Sequence, residues 1–399
     1  MNRSKPIQPL RNAEFEHRCE RLPEVPQRSI VATNSRRGTE FQVNNRFFAA
    51  MLTAIAVAFI VPLRVAGQTK QAPADRWTPS RTPDGQPDLQ GIWTMATFTP
   101  LERPASLAGK EFFSEEEAAQ LTKFLTADGA DPLARTVLAA DDEEQRQGRI
   151  RQSKENIHYD NAIWLTEKRS KSLSTKRTSL IVDPPDGRMP PLTPEAKSRE
   201  ADRARTSRFL VENLPKQSFD SHETRTPQER CLVWRHEGPP MLPPSYNDRI
   251  QIFQAPGYVA IHQEMSNNAV RIIPLDERPH LSQNLRQWPG DSRGRWEGDT
   301  LVVDTTNFTH KTHFQGASEA LHVVERFTRV DADTIRYVFT VDDPKSWAKP
   351  WSAEIPIAKA EGLLFEYACH GGNHDLSNIL SIARNVEAAA ADGAKKTSR

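Results

Sequence analysis

His262 stands two residues from Glu264 and four from Tyr258, and Glu366 stands four residues from His370. In an extended strand, residues two apart share a face. If both segments are strands with those faces inward, two imidazoles and two carboxylates converge. Such a set can hold zinc or another divalent ion, or act as general acid and base. His262, Glu264, Glu366 and His370 are therefore the catalytic candidates, and His262 and His370 the metal candidates. None of the spacings matches an HExxH-type zinc motif, and Gly371-Gly372 interrupts any helix that would align His370 with His374.

Gly290-Asp291-Ser292-Arg293-Gly294 fits the G-x-S-x-G of serine hydrolases. Its context does not, because a nucleophile elbow needs an apolar strand before the serine and a helix after it. Here Trp288-Pro289 precedes and the strand-like Leu301-Val302-Val303 follows. Charges of both signs crowd the same region: Arg271, Asp276, Arg278, His280, Arg286, Asp291, Arg293, Arg295, Glu297 and Asp299. Interleaved signs imply ion pairing that fixes loops. Guanidinium groups left over at a barrel mouth would favour a carboxylate or phosphate on a ligand. Tyr258, Arg271, Arg293, Arg295, Trp296 and His322 are the candidate ligand contacts.

The elements that must position these residues are mainly strands. From Cys231 onward period-two segments follow closely at 231–235, 249–255, 257–264, 269–275, 299–308, 321–330, 333–341, 351–358 and 363–370. Turn signals such as Pro256-Gly257 and Glu361-Gly362 separate them. The expected fold is an antiparallel meander closed into a lipocalin-like barrel, or folded as a sandwich. Gly91-x-Trp93 resembles the glycine-x-tryptophan start of lipocalins, where the indole plugs one barrel end. The N-terminal half adds a strand at 178–182 and a few peripheral helices. One is capped by Ser114 and Glu117, and another begins at Thr193-Pro194 and runs through roughly Glu212 on the outside of the fold.

Lys plus Arg number 53 against 52 Asp plus Glu, so no global field draws nucleic acid or an anionic membrane. The uncharged run Phe47–Leu63, preceded by Arg46 and followed by Val65-Ala66-Gly67, has the outline of a signal peptide. Retention as a membrane anchor is the less favoured alternative, since a span needs about 20 apolar residues. Export to the periplasm or beyond leaves Cys231 and Cys369 in the mature chain, where one disulfide is the simple pairing. The expected organisation is an extension with signal peptide at 1–67, an extended lead-in at 68–90, and one β-rich domain at 91–385. That domain carries a helical insertion near 114–212, and a disordered tail follows at 386–399.

RTSLIVDPPDGR at 177–188, PPLTPEA at 190–196, ERCL at 229–232, GPPMLPPSYN at 238–247 and RIIPLDERPHL at 271–281 form a set of long motifs. GDSRGRWEGDTLVVDTTNF at 290–308, LHVVERFTRVDADTI at 321–335 and YACHGGN at 367–373 complete it. Together they resemble a large family of exported bacterial proteins of unknown function, across roughly residues 77–385. The resemblance implies no activity or cofactor. The family usually carries Glu where this chain has Gly371, and often His in the turn where Asn267 and Asn268 stand, which weighs against a metal site there. The leading expectation is a barrel that binds a small, partly apolar ligand. The alternatives are a hydrolase or isomerase using the His/Glu set, and a structural module of the cell envelope.

Overall fold

Alternating apolar residues build one antiparallel sheet that curls into a nearly closed barrel. The structure is a computed structural model and describes residues 77–125, 174–206, 219–234, 236–244, 247–266, 270–311 and 314–397. The run 47–63, expected to be a signal peptide, and Asn267 and Asn268 lie outside the described residues. The strands are β1 (Gly91–Thr94), β2 (Ile181–Asp183), β3 (Arg249–Ala255), β4 (Tyr258–Gln263), β5 (Arg271–Pro274), β6 (Asp291–Glu297), β7 (Thr300–Thr306), β8 (His322–Arg329), β9 (Thr334–Asp342) and β10 (Trp351–Lys359). The helices are α1 (Glu115–Leu125), α2 (Pro194–Thr206) and α3 (Asp375–Thr397). No helix among the described residues is long and apolar enough to cross a membrane.

Nine strands follow the order β5-β4-β3-β1-β10-β9-β8-β7-β6, and β2 pairs with the free end of β10. Two meanders, β3 to β5 and β6 to β10, are thus joined through β1. Eight antiparallel pairings separate β5 from β6, so those two strands run in the same direction. An odd strand count leaves an antiparallel ring with one parallel seam. A parallel return needs a long crossover, and residues 275–290 supply it. Among the described residues side chains, not a backbone ladder, close the seam. Ile273 and Leu275 pack onto Gly294, where an added Cβ would lie 2.8 Å from Ile273 Cγ2 and 2.6 Å from Leu275 Cδ2.

Val303, Val323, Phe327, Ile335, Tyr337, Phe339, Val341, Ala353, Ile355 and Ile357 fill the interior with no surface a water molecule could touch. One end is plugged by Trp351, whose ring meets Phe314, Phe339 and Trp347 at centroid distances of 6.0, 5.7 and 5.8 Å. At the other, Trp93 donates its indole N–H to the Leu89 carbonyl and lies under the Arg329 guanidinium. Each buried indole contributes a few kcal/mol of stability.

Helix α1 is capped as expected, Ser114 and Glu117 exchanging hydrogen bonds. Thr193 accepts from the Ala196 amide at the start of α2, which rests on the Asp343–Trp347 turn through Arg199 and Ser346. Four expectations change. The segment at 231–234 is a turn, because Cys231 adopts φ 53° and the Leu232 amide bonds to the Pro227 carbonyl. Among the described residues, 363–370 pair with no strand. The stretch 291–297, which falls between the strand segments expected at 269–275 and 299–308, is a full strand of the barrel. The tail expected to be disordered from 386 is helical through Thr397, consistent with its alanine run at 388–391.

Gly294→Ala is expected to destabilise the fold by about 1–3 kcal/mol, since the strand backbone tolerates alanine but the seam has no room for its methyl. Chemical denaturation of the two proteins measures the difference.

Candidate functional site

The candidate catalytic set does not gather in the barrel. Burial of Val259, Ile261 and Gln263 puts their side of β4 inward, so Tyr258, His262 and Glu264 share the outer side. The segment 363–367 lies across that side of β3 and β4. Glu264 accepts from the Phe365 amide at 3.1 Å, and Arg249 donates to the Leu363 carbonyl. The Cys231–Cys369 disulfide, with Cα atoms 5.8 Å apart, tethers the same segment, and Trp234 meets Tyr367 edge-on. Glu264 is buried, whereas Glu366 and His370 are exposed. Burial lowers the pKa of His262. Among the described residues no group of three or more His, Cys, Asp or Glu is arranged to hold a metal ion, so His262 and His370 have no such set around them.

Ser292 is a core residue. Its hydroxyl accepts from Arg271 Nε at 3.0 Å and shares a hydrogen bond with Thr305 at 3.0 Å. Arg271, expected at a barrel mouth, crosses the seam inside the barrel. It forks onto both oxygens of Glu325, with Nη1 at 3.0 Å from Oε1, and donates to Thr305 Oγ1. Tyr337 donates to Glu325 at 2.7 Å and accepts from the Met241 amide. Burial pushes the Tyr337 phenol well above its ordinary range, and the Glu325 charge adds to that. Trp296 is half-buried and packs beside the core.

The remaining ligand candidates are on the outside and mostly paired. Tyr258 accepts from Arg278, which also binds Asp276. Arg295 binds Glu297, which binds Arg326 in turn. Arg293 binds Asp291 at 2.6 Å and opens a relay on the outer face of β6 to β8. From Asp291 it passes to His280 Nδ1 at 3.0 Å, from His280 Nε2 to Asp304 at 3.0 Å, and from Asp304 to His322 Nε2 at 2.9 Å. Burial works to raise the Asp304 carboxyl, but the His322 and His280 rings outweigh it and hold it below the usual range. The bond to Asp304 raises His322, against burial and with help from the Asp342 charge across the strand pair. A histidine oriented by a carboxylate and open to solvent on its other side is equipped to transfer protons.

Of the relay, Asp304 went unread in the sequence, as did Glu325 and Tyr337 inside. Glu325 had a signal: it occupies an inward position between Val323 and Phe327. Comparison of the chain with protein-family models, curated proteins and solved structures finds no match.

The relay sets a pH dependence. His322, raised, stabilises the fold at acidic pH and loses that contribution as pH rises through its elevated value. Asp304, lowered, contributes above the usual carboxylate range and loses it as pH falls through its depressed value. The stability difference between the wild type and His322→Gln should be largest between the ordinary carboxylate and imidazole ranges, about pH 5–6, and shrink as pH rises past the ordinary imidazole value of about 6.5. Partial exposure keeps it under about 1 kcal/mol. Denaturation midpoints across that range test it.

Proposed function

We propose that this chain is an exported interaction module of the cell envelope, a barrel whose interior is structural and whose outer face does the work. The carrying observation is a cross-strand row on the outside of β3, β4 and β5. Phe253 pairs with Ala260, and Ala260 with Ile272. Phe253 is 46% exposed and Ile272 62%, and Tyr258 and Val270 are exposed beside them. Apolar side chains left together on a folded surface mark association sites. A barrel made to hold a small apolar ligand keeps an internal cavity, yet most inward positions of β7 to β10 are filled by side chains with almost no exposed surface. The signal-like run at 47–63 and the Cys231–Cys369 disulfide support an oxidising compartment outside the cytoplasm.

A photo-reactive amino acid placed at Ile272 in the exporting cell should give a discrete cross-linked product, while one at Arg336 on the outside of β9 should not. Equal labelling at both positions, or none at Ile272, overturns the reading.

A further inference from the structure

We propose that α3 is a self-association element: two copies of this chain lay their α3 helices side by side and antiparallel, closing a dimer outside the barrel. The helix is rooted at its start and then runs out into solvent. Just before it the Cys231–Cys369 disulfide holds the chain, and the Asp375 amide donates to Asn373 Oδ1 at 2.9 Å. Arg384 Nη2 donates to the Phe219 carbonyl at 2.8 Å. From Arg384 to Gly393 every residue is exposed. A helix of that length exposed on all sides is marginal in water, because most helical stability comes from packing an apolar face. The alanine run at 388–391 helps by propensity alone.

The open face carries the pattern of a two-helix seam. Ile379, Ile382, Val386, Ala389 and Gly393 recur at intervals of three, four, three and four, the spacing of a and d positions in a coiled coil. Ile382 is 56% exposed and Val386 53%. Arg384 pairs with Glu387 along the flank, so the stripe itself is uncharged.

The stripe complements itself in one orientation. Its large residues lie in the half nearer the barrel and its small ones in the far half. An antiparallel partner sets Ile379 and Ile382 of one helix against Ala389 and Gly393 of the other, with Val386 near the middle of both. A parallel partner would crowd the isoleucines together and leave alanine and glycine facing across a gap, where contacts are lost. Charge agrees with the antiparallel choice. The first turn carries Asp375 and the last carries Lys395 and Lys396, so each acidic end lies beside a basic end and the two helix dipoles oppose. A patch whose large half fits its own small half is what a two-fold axis requires, which makes a second copy the occupant. The stripe shares no residue with the Phe253–Ile272 row, and the dimer does not depend on what docks there.

Sedimentation equilibrium on the full folded chain tests the pairing. The wild type should pass from monomer to dimer as concentration rises through the micromolar range. Val386→Lys, a change at an exposed position, should leave thermal unfolding of the monomer unaltered and weaken the dimer at least about tenfold, because it sets two like charges on the seam. Ile382→Lys and Ala389→Glu should each be monomeric alone and should dimerise when mixed in equal amounts. Antiparallel pairing brings residue 382 of one copy beside residue 389 of the other, and parallel pairing keeps them two turns apart. A wild type that stays monomeric throughout, a dimer that survives Val386→Lys, or a mixture that remains monomeric overturns the proposal.

Discussion

The ion pair between Arg271 and Glu325 spans the seam between β5 and β6, where the described residues carry no backbone ladder. Nine strands joined by antiparallel ladders leave β5 and β6 parallel, with no ladder between them. An open edge there would expose unpaired backbone and the inner face of the barrel. Arg271 reaches inward from β5, binds Ser292 on β6 and Thr305 on β7, and forks onto Glu325 on β8. Glu325 is fully buried, so its charge is tolerable only while the guanidinium and the Tyr337 hydroxyl satisfy it. Gly294 completes the closure by admitting Ile273 and Leu275.

The outer surface follows from the same constraint. A parallel return requires the 275–290 crossover, and the exterior of β6 and β7 carries the groups that hold it: Asp291, Asp304 and Asn307. The histidine chain is thus first a fastening, and its exposed end at His322 is where proton chemistry is available. On the opposite meander the C-terminal segment crosses β3 and β4, fixed by the disulfide and by Arg249 and Glu264. Phe253 and Ile272 are left exposed farther along that sheet.

Much of the fold was legible because alternation is local. The runs through Val323 and Phe327, Ile335 to Val341, and Trp351 to Ile357 declare their inward faces, and Cys231 and Cys369, the two cysteines that follow the apolar run 47–63, pair as expected. β6 was not legible, because Asp291-Ser292-Arg293-Gly294 has the composition of a turn and becomes a strand only against β7. Leu363 to Tyr367 failed in the opposite sense. Its residues suit a strand, but its backbone bonds to the Glu264 and Arg249 side chains instead. The site was harder still. Arg271 finds Glu325 across 54 residues and His280 finds Asp304 across 24, separations over which sequence carries no pattern.

A double-mutant cycle on Arg271 and Glu325 tests most directly whether side chains hold the seam. Arg271→Met, Glu325→Gln and the combined variant would be unfolded in denaturant beside the wild type. Each single change should cost about 3–5 kcal/mol by stranding the other group, and the double should cost far less than their sum, giving a coupling of at least about 2 kcal/mol. Additive losses with coupling near zero would mean the seam is closed by something other than this pair.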